Sequence, residues 1–358
     1  MDLRIERAGM RDLHEIMEIY GYARSFMAEN GNAEQWSGGY PSEELIVNDI
    51  ELQQLYVARP TTGNRNIACV FVFFIGLDPS YFTIDGAWLN DAEYGVIHRI
   101  ATARWAKGRG AAAFCMEHCF RVCGNLKIDT HELNIPMQNL IEKCGFRRCG
   151  IVHMASDGTP RIAFQKSADL ILASNSPRRR ELMLKLRRPF YADPAKGEES
   201  LPSSISNEDA AVYLAEKKAR EVYDRHRDEE VTVIGSDTIV LLDGEIFGKP
   251  KDEEDAKRML RRLSGRTHEV RTGVCVISPS GTESFTSASK VSFYELSEED
   301  IDIYVQSGEP MDKAGAYGIQ EEGALLIKAI EGDYYTIMGL PIAELNRKLN
   351  GSRIFYRT

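Results

Sequence analysis

No run of 18 or more apolar residues occurs in the 358-residue chain, so no membrane-spanning helix is expected. The first residues, M-D-L-R-I-E-R, lack the apolar core of a secretion signal. A cytoplasmic location, with no membrane partner, is the expectation. Positive charge is also short: Lys and Arg number 44 against 54 Asp and Glu, a formal net charge of −10. Neither half is basic, which argues against a general nucleic-acid binder, although a local basic cluster still suits a small polyanion. Cysteine is sparse and odd in number, seven in all, and reads as free thiols rather than a disulfide framework. Cys115, Cys119 and Cys123 recur at i, i+4 and i+8 around His118. That spacing reads first as a buried helical stripe of small apolar residues. Zinc is the other reading, with no C-x-x-C pair to accompany it. The length favours two domains.

The most informative stretch that is present runs from Leu170 to Leu182, L-I-L-A-S-N-S-P-R-R-R-E-L. A short apolar strand ends in small polar residues, and Pro177 suits the first turn of a helix, where its missing N–H costs nothing. Serine hydroxyls, helix-start N–H groups and three arginines, Arg178 to Arg180, then gather at one turn. This combination suits an anionic ligand, phosphate above all.

Further along, Val231–Ile234 reads as a buried strand that delivers Gly235–Ser236–Asp237–Thr238. The Asp237 carboxylate then faces a cleft, able to act as a general base or to hold a metal. Glu199, in an acidic loop, supplies a second carboxylate of the kind Mg²⁺ uses with phosphates. Lys218 and Lys249 are cations suited to a triphosphate and its developing charge. Asn207 is placed to cap a helix over 208–228, and strands are expected at 274–277 and 290–295.

In the first half, residues 3–7 alternate as a strand and Asp12 is placed to cap the next helix. The span 76–91 reads as a strand pair with loops. A second chemical feature is V-I-H-R-I-A-T-A-R-W-A-K-G-R-G-A-A-A, a strand, a glycine turn and a helix. Backbone N–H groups of such a turn can cradle a pyrophosphate.

Two resemblances organise these features. S-N-S-P-R-R-R-E-L, G-S-D-T-I-V, G-K-P, L-S-G-R-T-H, D-K-A-G-A-Y-G-I-Q and G-L-P occur in the order of the Maf family of nucleotide pyrophosphatases, over residues 168–358. The resemblance implies cleavage of a nucleoside triphosphate to monophosphate and pyrophosphate with a divalent cation, Mg²⁺ or Mn²⁺. It implies Asp237 as proton acceptor, with Glu199, Lys218 and Lys249 catalytic, and Asp237 and Glu199 as metal ligands. Ser174 and Lys313 are implied on the substrate. Arg178, Thr238 and Gln320 resemble the branch acting on dTTP and UTP; the glutamine amide both donates and accepts, as a pyrimidine edge does. The alternative is methylated GTP or another nucleotide.

Residues 1–166 resemble the GNAT superfamily of N-acetyltransferases, through the Gln35–Trp36 loop, the K-G-R-G turn and Asn134–Phe146. This implies acetyl-CoA, with its pyrophosphate on Lys107, Gly108, Arg109, Gly110 and Ala111. Trp105 stands where Gln or Arg is usual, and Ile141 where many members carry a tyrosine acid. His98, Glu93 and His131 are the nearby acid–base candidates, and a coenzyme-binding module without catalysis is the alternative.

The fold expectation is therefore α/β (α+β). A GNAT-like mixed sheet with flanking helices precedes a Maf-like two-lobed α/β domain with a central cleft. The partners are nucleoside triphosphates and acetyl-CoA, with a homodimer allowed.

Overall fold

The computed structural model describes residues 1–63 and 66–350. The chain divides into two compact units: Met1–Ala168 with Pro189–Tyr191, and Asp169–Arg188 with Ala192–Thr358. Among the described residues, no helix is long and apolar enough to cross a membrane.

The first unit is built on one mixed sheet. Its strands are β1 (Leu3–Arg7), β2 (Leu55–Pro60), β3 (Cys69–Ile75), β4 (Asp85–Gly86), β5 (Gly95–Thr102), β6 (Asn125–Thr130), β7 (Arg147–His153) and β8 (Pro160–Ser167). They lie in the order β1-β2-β3-β5-β6-β8-β7-β4, antiparallel except for the β5–β6 pair. Helices α1 (Leu13–Glu29), α2 (Glu43–Glu51), α3 (Ala111–Cys123) and α4 (Ile135–Lys143) flank it. Cys115, Cys119 and Cys123 are all buried on α3, the apolar stripe their spacing predicts.

Two local expectations differ. Asp12 precedes α1 but does not cap it with its side chain. Its carboxylate instead accepts from the Gly9 N–H at 2.9 Å and pairs with Arg59 at 2.8 Å, a stronger charge-assisted partner. The span 76–91 holds a short helical turn, Pro79–Tyr81, and only the two-residue β4. Asp78 caps that turn by accepting from the Ser80 N–H at 2.8 Å, and Pro79 opens it.

The second unit has a seven-stranded mixed sheet. Its strands are β9 (Leu170–Leu172), β10 (Tyr191–Ala192), β11 (Thr232–Leu242), β12 (Glu245–Phe247), β13 (Thr267–Ser278), β14 (Gly281–Phe293) and β15 (Ile327–Glu331). The order is β10-β9-β11-β13-β14-β15, with β12 hairpinned onto β11. Strands β13 and β14 form one long hairpin, far longer than the apolar cores at 274–277 and 290–295 suggest. Polar residues such as Glu283, Thr286 and Lys290 continue the ladder at its exposed positions. The helices are α5 (Pro177–Leu184), α6 (Ala210–Arg225), α7 (Glu253–Leu263), α8 (Glu298–Gln306), α9 (Tyr334–Met338) and α10 (Ile342–Asn350). Asp209, not Asn207, stands at the N-cap of α6; the Asn207 amide donates to the Gly244 carbonyl. A buried cluster around α7 and α8 includes Val240, Leu260, Val291, Phe293 and Tyr317. Strand β11 reaches from the β9 pairing at Ile234 to this cluster at Val240, and Asp237 and Thr238 lie between.

Helix α6 sits unusually close to that strand. A Cβ on Gly235 would lie 2.2 Å from the Ala215 carbonyl oxygen, and one on Gly273 2.3 Å from the Val212 nitrogen. Ala211, Ala215 and Ala219, one helical face, are fully buried there. We expect Gly273→Ala to cost about 1–3 kcal/mol, the usual penalty for overpacking a filled core. The urea midpoint measures it, and a wild-type midpoint would mean the helix shifts freely.

Candidate active sites

Close seating of α6 carries Lys218 to Asp237. The Lys218 ammonium contacts the Asp237 carboxylate and lies 2.8 Å from Glu199 Oε1, so both predicted carboxylates meet one cation. Asp237 is buried on β11, while Glu199 is exposed on its loop. Burial works against the Glu199 carboxylate. The hydrogen bond and charge of Lys218 outweigh it, with Lys249 and Arg179 adding, and hold the group below its usual value. Lys249 is thus within electrostatic reach of this cluster, and its side chain is exposed.

The start of α5 reaches the same strand through Arg179, which contacts Thr238. Ser176 caps the helix at the Arg179 N–H (3.4 Å) and Pro177 occupies its first turn. Ser174, buried, accepts from the Ser176 N–H at 3.2 Å.

Arg179, which sequence reasoning did not single out, is the hub. Its Nε donates to the Gly339 carbonyl at 2.8 Å, Nη1 to Ser174 Oγ at 3.3 Å and Nη2 to Thr238 Oγ1 at 3.1 Å. Thr272 Oγ1 donates to the Thr336 carbonyl at 2.7 Å, so the 2.9 Å contact between Thr238 and Thr272 takes its proton from Thr238. The Thr238 hydroxyl therefore spends its hydrogen on Thr272 and accepts from Arg179. Burial pulls the Arg179 pKa below its ordinary value, with Asp237 opposing. A signal was available: Arg179 shares its helical face with Leu182 and Met183, both fully buried, at i+3 and i+4.

The other predicted residues are placed differently. Arg178 is half-buried and reaches Asp312 Oδ2 at 3.4 Å. Lys313, buried, is held by the Glu309 carbonyl at 2.7 Å and Asp312 Oδ1 at 2.8 Å, within its own loop. Gln320 is exposed, its amide 3.4 Å from Glu181 of α5. Among the described residues, no group of three or more His, Cys, Asp or Glu is arranged to hold a metal.

In the first unit, β5 and β6 pair only at Gly95↔Leu126 and Val96↔Lys127. Both strands run on unpaired to each other, and a cleft of about 1510 Å³ is lined by Ile97–Thr102 and Ile128–Thr130. Lys107, Gly108, Gly110 and Ala111 line it too, whereas Arg109 does not. Gly108 and Gly110 have φ of 73° and 82°, and α3 starts without a side-chain cap, leaving its first N–H groups for a ligand. The Lys107 ammonium lies 3.2 Å from the centre of the Phe26 ring. Ile141 is fully buried, and Trp105 is partly exposed. His98 and His131 line the cleft; the His131 Nδ1 accepts from the Leu133 N–H at 3.2 Å. Glu93 uses its carbonyl to accept from Asn125 at 3.0 Å.

A family model described as Maf-like protein matches residues 169–352, and one described as Acetyltransferase (GNAT) family matches residues 32–146. A dTTP/UTP pyrophosphatase of Bacillus velezensis is 49% identical over 180 residues, 50% of this chain and 94% of the relative. Another from Bacillus cytotoxicus is 49% identical over 179 residues, 50% of this chain and 93% of the relative. Among solved structures, a GNAT-family acetyltransferase from Streptococcus agalactiae is 30% identical. It covers 46% of this chain and 95% of its own, with a TM-score of 0.42.

The two neighbouring arginines should separate in stability measurements. Arg179→Ala strips three partners of a charged donor and should cost at least about 2 kcal/mol. Arg178→Ala loses one long, half-exposed ion pair and should cost under about 1 kcal/mol. Equal urea midpoints for the two variants would remove Arg179 from its place as hub.

Proposed function

Because the chain belongs to the Maf-like protein family, we propose that its C-terminal half hydrolyses dTTP and UTP to the nucleoside monophosphate and pyrophosphate. The observation that carries this is the meeting of Asp237 and Glu199 on Lys218, beside the N-terminus of α5. Asp237 accepts the proton of the attacking water. Lys218, Lys249 and Arg178 face the phosphates, and the helix-start N–H groups and Ser174 add uncharged donors. Lys313 positions Asp312, and through it Arg178.

A divalent cation, Mg²⁺ or Mn²⁺, fits the donor set. Two carboxylates converge within reach of one ammonium, and such a cation completes its shell with phosphate oxygens and water. When bound, it neutralises charge on the triphosphate. Gln320 offers an amide donor and acceptor to the pyrimidine edge. Thr238 acts on specificity through Arg179, since its hydroxyl is already committed to Thr272 and to that guanidinium.

The N-terminal half carries a domain of the acetyltransferase (GNAT) family, and its function is transfer of an acetyl group from acetyl-CoA to an amine. The left-handed glycines at 108 and 110 and the uncapped start of α3 support pyrophosphate binding there. Gly110→Asp sets a carboxylate against that phosphate and strains a backbone at φ 82°. Calorimetry should show acetyl-CoA affinity falling at least tenfold; wild-type affinity in this variant would move the coenzyme elsewhere.

For the pyrophosphatase, Asp237→Asn keeps the shape of the side chain but cannot take a proton. The rate of pyrophosphate release should fall by about 10²–10⁴. Nucleotide affinity should stay within about tenfold, because the phosphate-facing cations remain. A panel of dTTP, UTP and methylated GTP tests specificity: preference for the purine would overturn the pyrimidine assignment and leave the role of Asp237 standing.

A further inference from the structure

One array in the N-terminal cleft is not explained by coenzyme binding. His98, on β5, has its Nε2 2.6 Å from Asp78 Oδ2, while its Nδ1 lies 3.9 Å from Asp129 Oδ1 on β6. A carboxylate only accepts, so the hydrogen sits on Nε2 and the basic lone pair on Nδ1. The gap to Asp129 is too long for a direct hydrogen bond. It is a gap between a basic nitrogen and a carboxylate, both on the wall of the cleft.

Asp129 is itself fixed. The Tyr81 hydroxyl donates to its Oδ1 at 2.8 Å, and Arg161 lies 4.0 Å from its Oδ2. Next on the same strand, Thr130 is 1% exposed, and its hydroxyl has no hydrogen-bond partner among the described residues. That orphan also lines the cleft. Two carboxylates, an imidazole and an unsatisfied hydroxyl are the complement of a ligand that brings hydrogen-bond donors and positive charge.

We propose that His98 is the catalytic base of the N-terminal half, taking a proton from an alkylammonium acceptor held by Asp129. This rests on the acetyl-CoA reading of that half. The acceptor R–NH₃⁺ gives one proton to Nδ1. The freed nitrogen lone pair bonds to the thioester carbonyl carbon, and the C–S bond breaks. A second proton leaves the nitrogen for the departing sulfur, and His98 returns the first to solvent. The products are the amide, the free thiol and one proton. Asp78 is a positioning residue that sets the tautomer.

The full-length chain tests this with acetyl-CoA and two amine probes, spermidine and a lysine-bearing peptide, followed by thiol release across pH. The charged and titratable groups around His98 are Asp78 from the turn after β3, Tyr81 beside it, Asp129 of β6 and Arg161 of β8. Asp49 of α2, paired with Arg99, completes them. Wild type should show kcat/KM rising with pH, as general-base catalysis requires. His98→Gln should bind acetyl-CoA as wild type does, lose about 10²–10⁴ in rate and lose that rising limb. Asp78→Asn offers Nε2 an amide that can donate as well as accept, frees the tautomer, and should lower kcat while the KM for acetyl-CoA stays as in wild type. Turnover by His98→Gln at the wild-type rate and pH profile overturns the assignment. Intact coenzyme binding with neither amine acetylated overturns the cationic acceptor. No acetyl-CoA binding by wild type overturns the acetyltransferase reading, and this inference with it.

Discussion

The closeness of α6 to its sheet governs the second unit. A helix normally stands off a sheet by the depth of its side chains. Here Gly235 and Gly273 present bare backbone to Ala211, Ala215 and Ala219, and helix backbone approaches strand backbone directly. Lys218 is one residue before Ala219, beside this contact, and reaches Asp237 across it. Gly273 stands opposite Asp237 in the β11–β13 ladder, so the glycine that admits the helix and the carboxylate that meets its lysine are register partners. Without the glycines, helix and lysine would retreat together. The packing of the core and the pairing of the charged site are thus one requirement.

Two adjacent arginines divide the remaining work. Buried guanidinium is costly unless its donors are met, and Arg179 meets a carbonyl and two hydroxyls. It ties together α5, β11 and the Gly339 turn, three stretches far apart in sequence. Gly339 has φ 105°, and a Cβ there would lie 3.2 Å from Thr238 Oγ1 and 3.4 Å from Arg179 Nε. The turn therefore needs glycine for its backbone and for the space its neighbours occupy. Arg178, one residue earlier, instead reaches Asp312.

Much of this was legible. Leu170–Leu172 and Pro177 stand where a local reading puts them, because strand and proline signals act over a few residues. Asp237, Lys218 and Glu199 are brought to one point. What local reading missed depends on distant partners. Asp12 looks like a cap until Arg59 arrives from β2. Arg178 and Arg179 look alike in the run R-R-R until Gly339 and Thr238 fold over one of them. The β13–β14 hairpin continues through polar residues because its partner strand, not its own hydrophobicity, supplies the ladder. His98 was legible as one of three acid–base candidates but not its partners, since Asp78 and Asp129 come from separate segments.

The first unit makes room for a ligand by interrupting a sheet. The β3–β5 ladder slips between Val70 and Val72, and Arg99, just after His98, has φ of 50°. A non-glycine residue in that conformation costs on the order of 1–3 kcal/mol, and persists only where surroundings over-determine it. Those surroundings are present. Asp49 receives two hydrogen bonds from the Arg99 guanidinium, at 2.8 and 3.1 Å, and the fully buried Tyr20 donates to the Arg99 carbonyl at 2.9 Å. Burial and the neighbouring Asp49 charge keep the Tyr20 hydroxyl protonated, so that donor does not switch off. The β5–β6 pairing ends at Val96, and His98 is the last residue paired with β3 before its ladder slips. A regular strand would continue pairing past Val96 and close the cleft. The strain at Arg99 and the opening beside His98 are therefore two views of one interruption, held in place by α1 and α2.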